Sequence, residues 1–320
     1  MTGAFGNIGG SAVQELVRQG HTVRCLARPT RAYRRAARRL PNNAQVVWGD
    51  LRDADLASVV RDQDVIVHLA YMLPPESEEQ PEEAESINVG GTRRLLDSAS
   101  SRPDPPRFLF ASSFDVFGHT QHLSPPRRVT DPVQATDHYS GHKLTCEDMI
   151  RHSGLEWAIF RFCDVPPLAM RSPHPIMFRI PLDTRFEVLH THDAGLAIAN
   201  AVEADVWGRV SLIGGGRSCQ VLYRDYLESM LDLIGVGRLP DEAFGQEPYC
   251  TDWLDTEDSQ RLLGYQRHSF QEIVRDVARA MGPTRFLARP VRPIVRWWMI
   301  RLSPYWQSNS PPSSTERRTR

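Results

Sequence analysis

Thr2-Gly3-Ala4-Phe5-Gly6-Asn7-Ile8-Gly9 is the stretch that decides the fold, because it places three glycines at intervals of three residues. Residues 11–19 follow with an apolar helical face and end before a glycine, which predicts a helix. Glycines at this spacing let the backbone approach a pyrophosphate, which the helix N-terminus attracts. An ordinary glycine-rich turn is the alternative. A predicted strand over residues 21–27 favours the nucleotide-binding interpretation.

Only Met1 precedes this stretch, although the central strand of a nucleotide-binding sheet belongs there. A central parallel strand is buried on both faces, and its absence leaves neighbouring backbone groups without partners. Either the sequence starts downstream of the natural start or the sheet is incomplete. We expect the first explanation.

Further strands and helices alternate along the chain. Apolar runs at 46–51, 64–70 and 108–113 predict buried parallel strands, while 88–99 predicts a helix. The acidic run 74–85 predicts a solvated loop. The sequence therefore predicts an α/β fold with a Rossmann-type, doubly wound parallel sheet, its first strand apparently truncated, and a smaller C-terminal substrate domain. The expected divisions are 1–166 for the nucleotide-binding domain, 167–282 mainly for the substrate domain with segments returning to the sheet, and 283–320 for a basic aromatic tail.

Composition is ordinary for a soluble globular protein, with 41% hydrophobic and 24% charged residues among 320. A net charge of −1 shows no bias of the whole chain toward nucleic acid or membrane, although residues 283–320 hold eight arginines and one glutamate. Five scattered cysteines without a CxxC pattern indicate neither disulfides nor a thiolate metal site. No secretory signal or membrane span is visible, so we expect a cytoplasmic protein.

Tyr139 and Lys143 are four residues apart, so on a helix they share one face. An ammonium group beside a phenol stabilises the phenolate and lowers the tyrosine pKa, which suits a general acid/base. Ser112 and Ser113 end a predicted strand, where a hydroxyl can hold a substrate carbonyl oxygen. Turn chemistry is the alternative for the two serines. Their position upstream of the tyrosine favours the site.

The cofactor preference depends on the end of the strand at 21–27. NAD-binding folds usually place an acid there for the ribose 2′-hydroxyl, but this chain has Ala27 followed by Arg28. An arginine can receive a 2′-phosphate, so NADP is favoured over NAD. The alternative is that Arg28 belongs to a solvated basic helix face, which Arg31, Arg34 and Arg35 continue.

Together these motifs resemble the extended short-chain dehydrogenase/reductase family, also called the NAD-dependent epimerase/dehydratase family. The resemblance spans residues 2 to about 282. It rests on the glycine stretch, Gly49-Asp50-Leu51, His68-Leu69-Ala70, Asn88-Val89-x-Gly91-Thr92, Ser112-Ser113-x-x-Val116-Phe117-Gly118, Tyr139-x-x-x-Lys143, Arg161 with Val165-Pro166-Pro167, His190-x-x-Asp193 and Asp258 to Tyr265.

The resemblance implies roles for the matching residues. Ser113, Tyr139 and Lys143 would be catalytic, with Ser113 binding the reacting oxygen and Lys143 also holding the nicotinamide ribose. Asn88 would support the helix near the site, and a helix cap is its structural alternative. The residues implied to border the cofactor are Gly3, Gly6, Asn7, Ile8, Gly9, Arg28, Asp50, Leu51, Leu69, Ala70, Asn88 and Lys143.

Three features depart from the family pattern. His142 replaces a small hydroxyl residue and adds a titrating group, and Phe117 replaces a tyrosine. Only 22 residues separate Pro167 from His190, where nucleotide-sugar enzymes usually build part of their substrate platform. A smaller or more apolar substrate is therefore expected.

Several histidines are close together in sequence, at 119 and 122, at 138 and 142, and at 190 and 192 beside Asp193. None has a convincing third ligand nearby, so no metal is predicted. His68 is expected to be a hydrogen-bonded core histidine. The tail segment 294–302 is basic and aromatic, and we expect it to pack on the domain. Binding at a membrane interface and disorder are the alternatives. Residues 308–320 are expected to be disordered.

The predicted activity is NAD(P)-dependent hydride transfer at a carbinol or ketone carbon, with Tyr139 as general acid/base. Two alternatives remain: a nucleotide-sugar epimerase or dehydratase that retains NAD, and a non-catalytic nucleotide-binding regulator or scaffold. The expected partner is a small-molecule substrate, with no nucleic acid. Peripheral membrane contact through the tail and a homodimer are left open.

Overall fold

The computed structural model describes residues 1–286 and 290–306, and the chain divides into two compact units. The first unit comprises Met1–Pro166, Glu187–Gln220 and Cys250–Phe270. The second comprises Pro167–Phe186, Val221–Tyr249 and Gln271–Arg320. The assignment of substrate binding to the second unit stays a prediction.

The strands are β1 (Val23–Ala27), β2 (Ala44–Trp48), β3 (Val65–His68), β4 (Arg107–Ser113), β5 (Trp157–Phe162), β6 (Arg185–Glu187), β7 (Arg209–Ile213) and β8 (Gln220–Leu222). The α-helices are α1 (Asn7–Arg18), α2 (Arg31–Ala37), α3 (Leu56–Val59), α4 (Glu76–Glu79), α5 (Pro81–Glu85), α6 (Gly91–Ser100), α7 (His138–Arg151), α8 (Thr191–Ala201), α9 (Tyr223–Leu233), α10 (Glu257–Leu263), α11 (Phe270–Met281) and α12 (Arg292–Ile300).

A parallel sheet forms the centre of the first unit. Strands β3, β4, β5 and β7 are neighbours in that order, and β1 pairs with β2 in the same direction. Thr2 lies between the two sets, because it forms parallel bridges with both Leu26 and His68. The Rossmann-type sheet predicted from the sequence is therefore confirmed, and Thr2 occupies the place of its first strand.

Successive residues of β4 pack on opposite sides of the sheet. Phe108 and Phe110 belong to one apolar core, with Leu95 and Ile150 of the neighbouring helices, whereas Leu109 belongs to another core. All three β4 side chains are fully buried, and burial of each contributes about 1.5–3 kcal/mol. The unbroken apolar run of β4 thus reflects helices on both faces, as the doubly wound arrangement requires.

Helix α8 packs very closely against the cofactor-side helix α1. A Cβ atom at Gly195 would lie 2.6 Å from the carbonyl carbon of Ser11, so only glycine permits this approach. The Thr191 hydroxyl also donates to the backbone oxygen of Asn7, at 2.9 Å. The N-terminal turn is therefore held in place by a segment almost 190 residues later in the chain.

The prediction of a solvated loop over 74–85 is wrong, since this segment forms α4 and α5. Pro81 occupies the first turn of α5, where proline is favoured, and glutamates in the first turn interact well with the helix dipole. Ala84 is fully buried and fixes the helix to the unit.

The predicted helix over 88–99 begins with a π-helical turn, Ser86–Gly90, before α6. The prediction of disorder for residues 308–320 lies outside the described residues. Within the described ranges, no helix has the length and apolar character needed to cross a bilayer.

Candidate functional site

The glycine turn forms a backbone surface without side chains before α1. Gly3 has a φ of +71°, and a Cβ there would lie 2.8 Å from the Ala70 nitrogen. A Cβ at Gly9 would overlap the carbonyl oxygen of Gly3, and the Gly6 N–H donates to that oxygen at 2.9 Å. The residues present therefore fit a pyrophosphate at the N-terminus of α1, where backbone N–H groups and the helix dipole favour an anion.

The side chains of Asn7 and Ile8 face the protein. The Asn7 amide donates to the Val165 backbone oxygen at 2.7 Å, and Ile8 packs against the apolar core. Any contact that these two predicted residues make with a cofactor therefore involves mainly their backbone.

His68 is a buried histidine with both ring nitrogens hydrogen-bonded. Its Nδ1 lies 2.7 Å from the Thr2 hydroxyl and its Nε2 lies 2.9 Å from the Thr92 hydroxyl. The Thr2 oxygen also accepts the N–H groups of Leu69 and Ala70, both at 3.1 Å. Burial, together with the charges of Lys143 and the chain N-terminus, lowers the His68 pKa to about 3. This is the neutral core histidine that the sequence predicts, and it fixes the loop after β3.

Asn88 holds the same loop from the other side. Its side chain accepts the Met72 N–H at 2.7 Å and donates to the Met72 oxygen at 3.1 Å. Asn88 lies inside the π-helical turn and is fully buried, so it does not cap a helix. Asn88 thus supports the backbone near Leu69 and Ala70.

Asp50 and Leu51 lie after β2. Arg52 donates to both carboxylate oxygens of Asp50 at 3.0 Å, and these bonds lower the Asp50 pKa. Leu51 is buried in the core beside α6. Arg28 is exposed after β1 and also contributes electrostatically to the lowered Asp50 pKa.

Three aromatic rings that the sequence did not identify lie beside the glycine turn. The Phe5 ring stacks 5.2 Å from that of Tyr33 and 6.4 Å from that of Trp48. The Arg34 guanidinium covers Trp48 at 5.0 Å. Arg34, one of the three arginines that continue the basic segment after Arg28, is therefore stacked on this cluster.

The predicted catalytic residues come together at the C-terminal end of β4. Tyr139 and Lys143 lie on α7, whose N-terminus is capped by the Asp137 carboxylate. Glu78 of α4 accepts the backbone N–H of Tyr139 at 3.0 Å. The Ser113 hydroxyl lies close enough to the Tyr139 phenol to lower its pKa. The structure thus forms the expected serine–tyrosine–lysine group.

The expected lowering of the Tyr139 pKa by Lys143 is not seen. Burial raises the pKa of Tyr139, the nearby Asp115 carboxyl raises it further, and only the Ser113 hydroxyl acts in the opposite direction. The Lys143 ammonium instead donates to the Ala111 oxygen at 2.6 Å and lies 3.4 Å from the Tyr71 ring centre. The ammonium lies 5.5 Å from the Tyr139 ring centre, and burial keeps the phenol protonated.

Lys143 is the only lysine of the chain, among 37 arginines. Burial lowers its pKa to about 7, despite partly compensating charges at Cys146, Glu147 and Asp115. A guanidinium would remain charged in the same place. This unique lysine was a compositional signal that the motif search did not use.

Ser112 has a structural role distinct from that of Ser113. Its hydroxyl donates to Glu147 at 2.6 Å, and Arg161 donates to both Glu147 oxygens, at 3.0 and 2.8 Å. Burial alone would raise the Glu147 pKa, but these bonds, with a contribution from Arg151, lower it. This buried network joins α7 to β4 and β5.

Asp115 is a candidate residue that sequence reasoning missed. Its carboxylate accepts the Ser113 hydroxyl at 3.1 Å. Burial raises the Asp115 pKa to about 7, and neighbouring acids add to this shift. A carboxyl group two residues after the strand-end serine was the signal available. It adds a second group able to exchange protons beside Tyr139.

His142 lies on α7, one residue before Lys143. Burial lowers its pKa, although nearby acids including Glu85 oppose this. Its Nδ1 atom is buried and has no hydrogen-bond partner in the described part of the chain. The expected additional titrating group is therefore present.

His190 and Asp193 do have a third neighbour, contrary to the sequence argument. His268 stacks on His190 with ring centres 3.9 Å apart, and one potential ligand atom from each residue lies within 4.8 Å of the others. Asp193 already accepts His268 Nδ1 at 2.6 Å and the N–H groups of Arg267 and His268 at 2.9 Å. The nearly parallel rings direct their lone pairs alongside each other rather than toward one point. Anchoring of the loop before α11 accounts for the cluster.

Comparison with known proteins adds an independent result. A model of the NAD dependent epimerase/dehydratase family matches residues 1–176, more than half of the chain. UDP-glucose 4-epimerase of Lactobacillus helveticus is 29% identical over 171 residues, covering 51% of this chain and 50% of that protein. Photosystem II assembly factor Ycf39 of Cyanophora paradoxa is 26% identical over 162 residues, covering 50% and 43%. The chain thus spans about half the length of these relatives, or less.

Among solved structures, a double mutant of dTDP-glucose 4,6-dehydratase from Streptomyces venezuelae, with NAD bound, superposes with a TM-score of 0.74. It is 24% identical, and the match covers 91% of this chain and 98% of that chain. This likeness establishes the fold. Together with the family model it confirms the resemblance drawn from the motifs, and the chain belongs to the NAD dependent epimerase/dehydratase family.

Proposed function

We propose that the chain is an NAD(P)-dependent oxidoreductase that transfers hydride at a carbinol or ketone carbon, with Tyr139 as general acid/base. The observation that carries this proposal is the proximity of Ser113 to Tyr139 at the end of β4, with Lys143 one helical turn farther along α7. The family's name and the bare glycine turn support NAD(P) as cofactor.

The cofactor, when bound, supplies or accepts the hydride. Gly3, Gly6 and Gly9 would hold its pyrophosphate, and Lys143 its nicotinamide ribose. Arg28 would receive a 2′-phosphate, which favours NADP. The other predicted contacts are Asn7, Ile8, Asp50, Leu51, Leu69, Ala70 and Asn88.

The residues of this chain control the substrate oxygen and its proton. The Ser113 hydroxyl, which donates to Asp115 in this structure, would turn its proton to the substrate oxygen and so orient it. The Tyr139 phenol, protonated at neutral pH because of burial, donates its proton when a ketone is reduced. The reverse reaction needs a base to receive that proton, and Asp115 can do so through the Ser113 hydroxyl. The protonated phenol is thus the form that acts in reduction, and the same groups serve the reverse reaction once that proton has been lost.

A second candidate is a nucleotide-sugar epimerase or dehydratase that retains NAD. The names of the epimerase relative and of the dehydratase with a similar fold support it. Asp115 supports it as well, because elimination of water requires a further acid/base beside the hydride-transfer site. The short segment of 22 residues between Pro167 and His190 favours a smaller or more apolar substrate instead.

A third candidate is a non-catalytic regulator or scaffold, which the similarity to an assembly factor supports. The complete Ser113, Tyr139 and Lys143 group argues against it. The cytoplasmic location predicted from the sequence stays a prediction.

The three candidates differ in nucleotide content. Absorbance and mass analysis of the denatured, purified protein would measure nucleotide carried through purification. A dehydrogenase or reductase exchanges added NADPH or NADH freely, whereas an epimerase or dehydratase carries tightly bound NAD. Absence of binding to any nicotinamide nucleotide would contradict both enzyme proposals and support the third.

A further inference from the structure

Helix α12 presents an apolar face to solvent. Ile294 is 65% exposed, Trp297 58%, Trp298 47% and the preceding Val291 43%. With one residue per 100° of helix rotation, these four side chains fall on the same side. Exposed tryptophan and isoleucine in one contiguous patch mark an interaction surface rather than ordinary solvent contact.

The opposite face of α12 attaches the helix to the second unit. Met299 is buried, Arg292 donates to the Val236 oxygen at 3.1 Å, and Arg296 donates to the Arg238 oxygen. The usual orientation of an amphipathic helix is therefore inverted, with arginines toward the protein and the aromatic residues outward. Packing of the tail on its unit, which the sequence favours, accounts for this inner face alone.

Positive charge accompanies the outward face. Arg301 covers the Trp297 ring at 4.7 Å and is itself exposed. In the sequence, residues 283–320 carry eight arginines against one glutamate. Tryptophan with arginine beside an aliphatic patch is the composition of helices that lie in the interface of a bilayer.

We propose that α12 is a membrane-docking helix that places Val291, Ile294, Trp297 and Trp298 in the interface of an anionic lipid bilayer. The positive charge of the tail is complementary to the negative charge of an anionic bilayer, which favours this partner. A second copy of the chain would bring the same positive tail against the first, which opposes pairing. Nucleic acid would attract the arginines but has no apolar surface for Val291 and Ile294.

The test uses the full chain and two kinds of vesicle, one of phosphatidylcholine and one in which a third of the lipid is phosphatidylglycerol. We expect sedimentation with the anionic vesicles at least about tenfold stronger than with the neutral ones, and weaker at high salt because screening reduces the attraction. Quenching of tryptophan fluorescence by brominated lipid gives a second readout.

The double variant Trp297→Ser, Trp298→Ser should bind anionic vesicles at least about tenfold more weakly. Burial of even one large apolar side chain contributes enough free energy for a tenfold change in affinity. The matched control is Leu123→Ser, Val133→Ser, two residues of the first unit that are 40% and 41% exposed. The control should bind like the unaltered chain. Circular dichroism and thermal melting establish that both variants fold.

Several outcomes overturn the proposal: no vesicle binding, equal binding to both vesicles, or an equal loss in the control. A dimer that the tryptophan substitutions dissociate, without vesicle binding, would assign the face to a second copy. Binding to a short DNA duplex in place of vesicles would assign it to nucleic acid.

Discussion

The Lys143 ammonium nitrogen lies 3.4 Å from the centre of the Tyr71 ring, closer than to the ring centres of Phe110 at 4.8 Å and Tyr139 at 5.5 Å. The Tyr71 phenol is neutral, because burial raises its pKa far above the ordinary value. The ring therefore offers the electron-rich face of an uncharged aromatic, which attracts a cation only modestly. Burial outweighs this attraction, so Lys143 reaches neutral pH close to half protonated.

The pKa of Lys143 can be measured directly, because the chain has no other lysine. We predict that a chain labelled with carbon-13 lysine gives one Cε resonance that titrates at about pH 7. The same measurement on urea-unfolded protein is the control and should give the ordinary value of about 10.4. A native titration above pH 9 would contradict the assignment.

Replacement of Lys143 by methionine should stabilise the protein at pH 6. Between about pH 7 and 10.5 the unfolded lysine binds a proton that the native lysine does not. The free-energy cost of burying the charged lysine is therefore complete below pH 7 and disappears toward pH 10.5. Lys143→Met should therefore raise the free energy of unfolding by about 1–4 kcal/mol at pH 6, and less at pH 10. Urea denaturation measures this, with the exposed Arg217→Met as control. An equal effect at both pH values would contradict the prediction.

Tyr139→Phe should abolish turnover while leaving cofactor affinity nearly intact, since only the exchangeable proton is removed. The expected loss in kcat is at least about a hundredfold. Tyr226→Phe, at a tyrosine of similar burial in the second unit, is the matched control. Turnover that survives in Tyr139→Phe would refute the assigned proton donor.

Two site residues ionise near pH 7, Asp115 and Lys143, and Asp115→Asn should remove one of these two ionisations from the pH profile of kcat/KM. It should also change stability in a defined direction. The native carboxyl holds a proton between about pH 4 and 7 that the unfolded one has lost, so its contribution to stability falls as pH rises through that range. At pH 8 the free energy of unfolding of the variant should exceed that of the unaltered chain by up to about 4 kcal/mol. The difference should be smaller in practice, because Asp115 is partly exposed. Exposed Asp104→Asn is the control, and a pH-independent difference would argue against the prediction.

Titration with both nucleotides should favour NADPH over NADH if Arg28 receives a 2′-phosphate. Arg28→Ser should then reduce the ratio of the two affinities about tenfold, the value of one charged hydrogen-bonded contact. Arg39→Ser, also exposed and near the end of α2, should leave the ratio unchanged. A preference for NADH in the unaltered chain would overturn the argument from Arg28.

Much of the first unit could be predicted because its signals are local. The apolar run of β4 and the glycine turn before α1 determine strand and helix positions from neighbouring residues alone. The segment 74–85 could not be assigned in this way. Its glutamates suggest exposure to solvent. Its helices depend instead on the burial of Ala84 and on the hydrogen bond that the Tyr139 backbone N–H donates to Glu78.

The sequence identifies the residues of the candidate site more completely than it predicts their pKa values. Spacing places Tyr139 and Lys143 on one helix face, but it carries no information on desolvation. Burial, not the lysine, controls the phenol, and Asp115 matters because the fold directs its carboxyl to Ser113. Such effects depend on the surroundings that distant segments create.

The close packing of Gly195 against Ser11 also limits how this protein can be divided. A fragment ending at residue 176, where the family match ends, would lack α8 and β7. It would expose Ala12 and leave one side of β5 unpaired. Such a fragment should aggregate on expression. A stable version of the first unit has to include the later segments Glu187–Gln220 and Cys250–Phe270.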